Sequence, residues 1–255
     1  MSFEFIEKNQ REFTKQAEKI LQSKIFNDQV IKDEIIRIAK FSSNDIILDL
    51  ACGPGIMTEA ISPLVAKICA VDVTSKMVEL CRERHLKNVQ TIQSPAEKLP
   101  FKDNMFDVVV TRLAIHHFEN PEVVIREIKR VLKDNGKIII ADVYSSNNID
   151  EAQLHNSLEF FRDPSHSKML SLNQFKELFL NNSLIVQTEE KLAQNQEFNQ
   201  WLAIVDDYQR KRALECIIKN LIECGKKAGI NLQINDKNKI LFTHHWVIYK
   251  LGVKY

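Results

Sequence analysis

Glycine and proline are scarce, with six of each in 255 residues. So few breakers leave no room for a flexible linker, and no internal repeat is visible. The five cysteines (Cys52, Cys69, Cys81, Cys216, Cys224) are odd in number and form no CxxC pair. A disulfide framework or a zinc site is therefore not expected, and a reducing compartment fits best. Surplus charge is also missing. A formal net charge of +1 offers no electrostatic footprint for a polyanion, so a nucleic-acid partner is not expected. No segment approaches the ~20 apolar residues of a membrane span. The opening MSFEFIEK carries charge where a signal peptide has its apolar core. A cytoplasmic protein is expected, with its oligomeric state left open.

What is present is a regular alternation. Residues 7–40 read as helical with a break at Asn27-Asp28. Short Ile- and Val-rich strands follow at 45–50, 67–72, 89–93, 106–111 and 136–143, with helices at 56–65, 76–84 and 122–132 between them. Such runs suit a parallel sheet covered on both faces, a doubly wound α/β arrangement. Beyond Asp142 the spacing predicts a helix over 171–180, a strand over 184–188, one or two long helices over 198–224 and a final strand over 240–251. Three units are expected: an N-terminal helical lid (1–40), a ligand-binding core (41–145), and a segment (146–255) that completes the sheet. Helical insertions near 146–168 and 195–235 would cover the active edge.

The stretch DLACGPGIM at 49–57 joins the first strand to the first helix of the sheet. Glycine-rich turns in this place usually hold a nucleotide, yet the third glycine of a dinucleotide fingerprint is missing. Asp49 would also set a negative charge beside an anionic ligand, at a cost in energy. A ligand with an ammonium, a sulfonium and a single carboxylate reverses that sign. S-adenosylmethionine is such a ligand. Gly53 and Gly55 let the backbone approach it, Asp49 attracts its amino end, and Asp72 ends the second strand where a carboxylate accepts both ribose hydroxyls.

Four stretches together, DLACGPG, AVDVTSKM, PAEKLPFKDNMFDVV and LAIHHFENPEVVIREIKRVLKDNGKIIIAD, resemble the class I S-adenosylmethionine-dependent methyltransferases. The likeness is to the small-molecule branch that includes the ubiquinone/menaquinone biosynthesis methyltransferases, and it covers roughly residues 10–145. It implies a Rossmann-like, mostly parallel seven-stranded sheet. It also implies that Asp49, Ala51, Gly53 and Gly55 form the methionine-side loop, that Asp72 binds the ribose, that Val73 and Met77 lie against the adenine, and that Ala96 and Glu97 line its edge. Phe13 and Gln16 sit on the helix that folds over the cofactor in related enzymes. Two positions depart from the pattern: Ala51 stands where glycine is frequent, and Pro95 where Asp, Asn or Thr is frequent. Pro95 has no side-chain group to bond the adenine amino group.

Methyl transfer is an in-line displacement on an activated carbon, so alignment and desolvation dominate; a base is needed only for a protonated nucleophile. His116 and His117, just past the fourth strand, are the candidate bases, with His116 favoured. Arg112 is read as a ligand of the cofactor carboxylate or of an acidic substrate, or as half of a structural salt bridge. The string Arg162-Asp163-Pro164-Ser165-His166 also occurs in uncharacterised bacterial methyltransferases that look like this chain. It places Arg162 and His166 as further pocket candidates, against a plain turn held by Asp163 and Ser165. Trp201, Phe198 and Tyr208 have helical spacing and read as core. His244 and His245 point to opposite faces of a strand, which disfavours a metal pair. Asp142 stands at a strand end without an evident carboxylate partner, so no metal is expected. Base methylation is disfavoured, because Thr111-Arg112-Leu113-Ala114 replaces an Asn-Pro-Pro-Tyr motif and no cysteine follows proline. The acceptor is expected to be a small molecule methylated at O, N or C. A nicotinamide-dependent oxidoreductase and a non-catalytic S-adenosylmethionine-binding module are the alternatives.

Overall fold

The computed structural model describes residues 3–254, so residues 1 and 2 of the expected lid lie outside it. Helices α1 (Phe3–Gln22) and α2 (Gln29–Ala39) part at the expected break, where the Asp28 carboxylate accepts Ile31 N at 3.2 Å and caps α2. Then come β1 (Ile46–Leu50), α3 (Ile56–Ile61), β2 (Lys67–Asp72), α4 (Ser75–Arg82), β3 (Val89–Gln93), β4 (Phe106–Arg112), α5 (Pro121–Val131) and β5 (Leu132–Val143). The chain continues through α6 (Ile149–Arg162), α7 (Leu172–Asn181), β6 (Leu184–Glu197), α8 (Phe198–Trp201), α9 (Tyr208–Glu223), β7 (Gln233–Ile234) and β8 (Ile240–Val253).

The sheet order is β3-β2-β1-β4-β5-β8-β6, and the two-residue β7 beside β8 makes eight strands where seven are expected. β1 to β5 pair in parallel, while β8 runs antiparallel to β5 and β6. Ile47, Leu48, Val108, Val109, Val110, Ile138, Ile139 and Ile140 are fully buried, as a sheet covered on both faces requires. From β1 the chain turns to β2 on one side and later places β4 on the other. The loops leaving β1 and β4 therefore diverge and open a cleft at the carboxyl ends of the strands.

Two elements differ from expectation for physical reasons. β6 continues past 188 to Glu197 because the long β8 offers a partner as far as Leu241. Its outer half is largely polar because it lies on the sheet edge. The run 198–224 is not a long helix: α8 has four residues, and Asp207 starts α9 afresh by accepting Arg210 N at 3.0 Å. Phe198 and Trp201 are core, whereas Tyr208, read as core, is exposed on the first turn of α9. Helix α1 lies across α3 and α4 through Ala17, Ile20, Ile56, Met77 and Leu80. Gln10 Nε2 also donates to Val73 O at 2.8 Å, which ties the helix to the loop after β2. Among the described residues no helix is long and apolar enough to cross a membrane.

Candidate active site

The cleft holds a cavity of about 980 Å³, part of it open to solvent. Its walls include Phe13, Asp49, Ala51, Gly53, Asp72, Val73, Met77, Ala96, Glu97 and Arg112, ten of the twelve residues expected to hold a cofactor. Gly53 has a φ of +55°, and a Cβ there would meet nothing within 4 Å, so the bare backbone borders open space. Gly55 does not reach the cavity. Its φ is +79°, and a Cβ would lie 2.6 Å from Cys81 Sγ, so glycine is needed there to seat the turn on α4. Ala51 holds a φ of 56°, a left-handed conformation that glycine adopts more readily than alanine.

Three charges face this space. Asp49 Oδ2 accepts Thr58 Oγ1 at 2.5 Å. Burial pushes its carboxyl up to about 6, against the Thr58 hydrogen bond and the Arg112 charge. Asp72 accepts Gly53 N at 2.9 Å and Thr74 N at 2.8 Å, and burial raises it despite those bonds. Arg112 donates to Phe26 O, and its guanidinium lies 5.7 Å from the Trp246 ring centre. The Asp49, Asp28 and Asp142 carboxylates all act on its charge, Asp49 the most. Burial lowers Arg112 to about 10, with Asp49 acting the other way. Arg112 Nε and both carboxylate oxygens of Glu97 are buried without a partner. Orphaned groups of both signs on one cavity wall call for a ligand with donors and acceptors of its own.

A second cavity of about 540 Å³ adjoins the first, and Phe13, Phe26, Leu113 and His117 line both. Gln16, expected at the cofactor, lines this second space together with His116, Arg162 and His166. The histidine turn and the Arg162–His166 string meet because Ser167 N and Lys168 N both donate to His116 O, at 2.9 and 3.1 Å. Asp163 Oδ1 accepts Ser165 N at 2.9 Å and Ser165 Oγ at 2.6 Å, so the expected turn and the expected pocket role coexist.

Each imidazole has one nitrogen fixed. His116 Nδ1 lies 2.6 Å from Asp142 Oδ1, and the buried Asp142 also accepts Ile115 N and Val143 N, both at 2.8 Å. Burial opposes a charge on His116, but the Asp142 carboxylate and its hydrogen bond outweigh burial, and the imidazole titrates above its ordinary 6.5. His117 Nδ1 faces Ser165 O at 3.0 Å, and burial with the His116 charge pushes it down to about 4. His166 Nε2 donates to Asn156 Oδ1 at 2.8 Å, and the same two causes push it down to about 3. Arg162 donates to Trp201 O at 2.9 Å and to Glu159 Oε2 at 3.0 Å, so its charge is balanced on the spot. Among the described residues no cluster of three His, Cys, Asp or Glu side chains is arranged for a metal ion.

Comparison with known proteins decides the family. A profile described as a methyltransferase domain matches residues 48–140. The uncharacterized methyltransferase YcgJ of Bacillus subtilis is 32% identical over 198 residues, covering 76% of this chain and 78% of that protein. The chain belongs to the class I S-adenosylmethionine-dependent methyltransferases. That membership sets aside the nicotinamide-dependent reading. The ubiquinone/menaquinone biosynthesis C-methyltransferase UbiE of Coxiella burnetii is 34% identical over 119 residues, 44% of this chain and 48% of that protein. The crystal structure of B. subtilis YcgJ superposes with a TM-score of 0.80 at 27% identity, covering 88% of this chain and 99% of that one. A putative methyltransferase from Bacillus halodurans shares the fold at a TM-score of 0.78 and 24% identity, over 86% and 97% of the two chains.

Sequence reasoning missed several wall residues. Phe26 and Glu159 carried no signal, because their places depend on helix docking. Asp142 was visible as a strand-end acid, but its partner His116, 26 positions away, was not. His244 faces the second cavity and His245 the other side of the sheet, beside Tyr144. The strand alternation carried that signal.

Proposed function

We propose that this methyltransferase binds S-adenosylmethionine in the first cavity and methylates a small-molecule nucleophile held in the second, with His116 taking the acceptor's proton. The wall common to the two cavities carries this reading, because a methyl group must pass directly from one ligand to the other. When bound, the cofactor supplies a methyl carbon already activated by its sulfonium.

Asp49 faces the ammonium and Arg112 the carboxylate of the amino-acid end, each opposite in sign to its partner. Asp72 keeps lone pairs beyond the two it gives to Gly53 and Thr74, and these accept the ribose hydroxyls. Val73, Met77 and Ala96 flank the base, and Glu97 accepts from its amino group. Helix α1, through Phe13, closes the space from above and excludes water. His116 donates its Nδ1–H to Asp142, which leaves Nε2 as the acceptor; Asp142 then holds the imidazolium that forms. Arg162 and His166, fixed by Glu159 and Asn156, shape the acceptor chamber.

Calorimetry with S-adenosylmethionine, S-adenosylhomocysteine and NADH tests the first half. Saturable binding of the first two is expected, and preference for NADH would overturn it. Release of S-adenosylhomocysteine across a panel of phenols, quinols and amines tests the second half. Silence across that panel would favour a non-catalytic binding module.

A further inference from the structure

Hydrogen-bond acceptors crowd the wall of the second cavity, and the geometry fixes most of them. His116 Nδ1 faces the Asp142 carboxylate at 2.6 Å, and His117 Nδ1 faces the Ser165 carbonyl at 3.0 Å. Neither oxygen donates, so both Nδ1 atoms carry a proton and each neutral ring keeps its lone pair on Nε2. The Asn156 amide is oriented by Nδ2 donating to Ala152 O and Met169 O, so its Oδ1 accepts from His166 Nε2 at 2.8 Å. The His166 lone pair is then on Nδ1. Burial keeps His117 and His166 uncharged near neutral pH. The three rings, with centres 4.2, 5.6 and 6.3 Å apart, all line the cavity.

Further acceptors join them. Gln16 and His244, 5% and 6% exposed, also line the cavity, and Gln16 Oε1 and both His244 nitrogens have no hydrogen-bond partner. His244 Nε2 stands 3.6 Å from Glu159 Oε1, and either neutral tautomer of the ring keeps one lone pair. Asp163, 4% exposed, gives Oδ1 to Ser165 and has Oδ2 left. The donors that remain are the Gln16 amide nitrogen and what Arg162 does not spend on Glu159 and Trp201 O. Charge is one-sided as well. Arg162 is the one guanidinium or ammonium on this wall, and both wall carboxylates, Glu159 and Asp163, draw on it. A carboxylate or carbonyl ligand here would set acceptor against acceptor. An ammonium brings three donors and a positive charge, and the faces of Phe13 and Phe26 attract a cation. We infer that the methyl acceptor is a small amine, which enters the second cavity as its ammonium ion and is methylated on nitrogen.

This rests on the reading of that cavity as the acceptor chamber. His116 Nε2 takes one ammonium proton, which frees the nitrogen lone pair. That pair attacks the methyl carbon; the N–C bond forms, the S–C bond breaks, and its electrons stay on sulfur in S-adenosylhomocysteine. The product leaves as an N-methylammonium ion, and His116 then gives its proton to water. Matched amines, alcohols and carboxylates on benzyl, phenethyl and cyclohexylmethyl frames are titrated by NMR into the full-length protein, alone and saturated with S-adenosylhomocysteine. On each frame the amine should bind about tenfold or more tightly than the alcohol, with the carboxylate weakest. D163N keeps the Ser165 contacts through its amide oxygen; it should weaken the amines about tenfold, the alcohols less than about threefold, and leave S-adenosylhomocysteine affinity unchanged. With S-adenosylmethionine present, mass spectrometry should find the methyl group on nitrogen. The inference fails if no amine binds, or if an alcohol or carboxylate binds as well as its amine. Methyl transfer to a phenol or quinol in place of the amines would overturn it too, while leaving the methyltransferase reading intact. Amines that bind where S-adenosylhomocysteine does not would uphold the chamber and count against the cofactor site instead.

Discussion

Asp49 is buried, has one oxygen committed to Thr58, and is held at about 6 by burial. Only its ionised form attracts an ammonium. Affinity for S-adenosylhomocysteine should therefore be level above about pH 7 and fall toward tenfold per pH unit below about 6. D49N should bind about tenfold more weakly at pH 7.5 and lose that pH dependence; calorimetry between pH 5 and 8 reads both, and a parallel pH profile would remove Asp49 from the ligand. Ala51 makes a separate case. An alanine at φ 56° carries left-handed strain of about 1 kcal/mol. Ala51→Gly relieves that strain and adds unfolded-state freedom, so stability should change by less than about 1 kcal/mol and affinity by less than about threefold. A large loss of affinity would mean that the Ala51 methyl packs against the ligand, and a large loss of stability that its packing on the core outweighs the strain. His116 depends on Asp142 for its tautomer. Asp142→Asn should lower turnover by about a hundredfold with S-adenosylhomocysteine affinity unchanged, and ¹⁵N NMR of the imidazole should report loss of the Nδ1–H form. In the parent enzyme the rate should rise with pH through a value above 6.5, as the neutral base appears.

Among the elements, the joint between α6 and the segment that follows it turns on one amide. Asn156 Oδ1 accepts His166 Nε2 at 2.8 Å and Met169 N at 2.6 Å, while Nδ2 donates to Ala152 O and Met169 O. Asn156→Ala leaves two buried donors unpaired and should cost about 2–4 kcal/mol of unfolding free energy. Chemical denaturation checks this, and a loss under about 1 kcal/mol would mean that water replaces the amide. The element pattern from β1 to β5 was legible because short Ile/Val runs alternating with amphipathic helices admit few other readings. Asp28, read as a break, and Ser171, read as the first helical residue, are both N-caps, and Ser171 forms a full capping box with Gln174. The outer half of β6 was not legible, since an edge strand partnered on one side shows little apolar alternation. The restart at α9 had a readable signal in Asp207, which the apolar spacing of 198–224 masked. At the site, the histidine pair and the Arg162–His166 string were visible as motifs. Their meeting through His116 O is tertiary docking, which no local pattern encodes.

For the whole molecule, the buried imidazoles set how stability responds to acid. His117 and His166 titrate at about 4 and about 3 in the folded chain, and burial also lowers His244. All three take a proton near 6.5 once unfolded. Their contribution to stability is therefore complete above pH 6.5 and is lost as pH falls toward 4, at roughly 1 kcal/mol per pH unit for each group. Asp49 and His116 act in the opposite sense. Raised in the folded state, each contributes fully below its ordinary value and loses that contribution as pH rises through the folded one. Four lowered histidines, His245 included, outnumber the raised Asp49, Asp72 and Glu97 in this window, and His116 acts above it, so a net loss of stability is expected between pH 6.5 and 4. Thermal unfolding of the apo protein across that range should show it. His166→Gln, which keeps a donor for Asn156 but cannot titrate, should flatten the slope by about one proton's worth. An unchanged slope would mean that His166 is protonated in the folded chamber. The acceptor space would then carry an extra positive charge beside His116, and a base there would be hard to sustain near neutral pH.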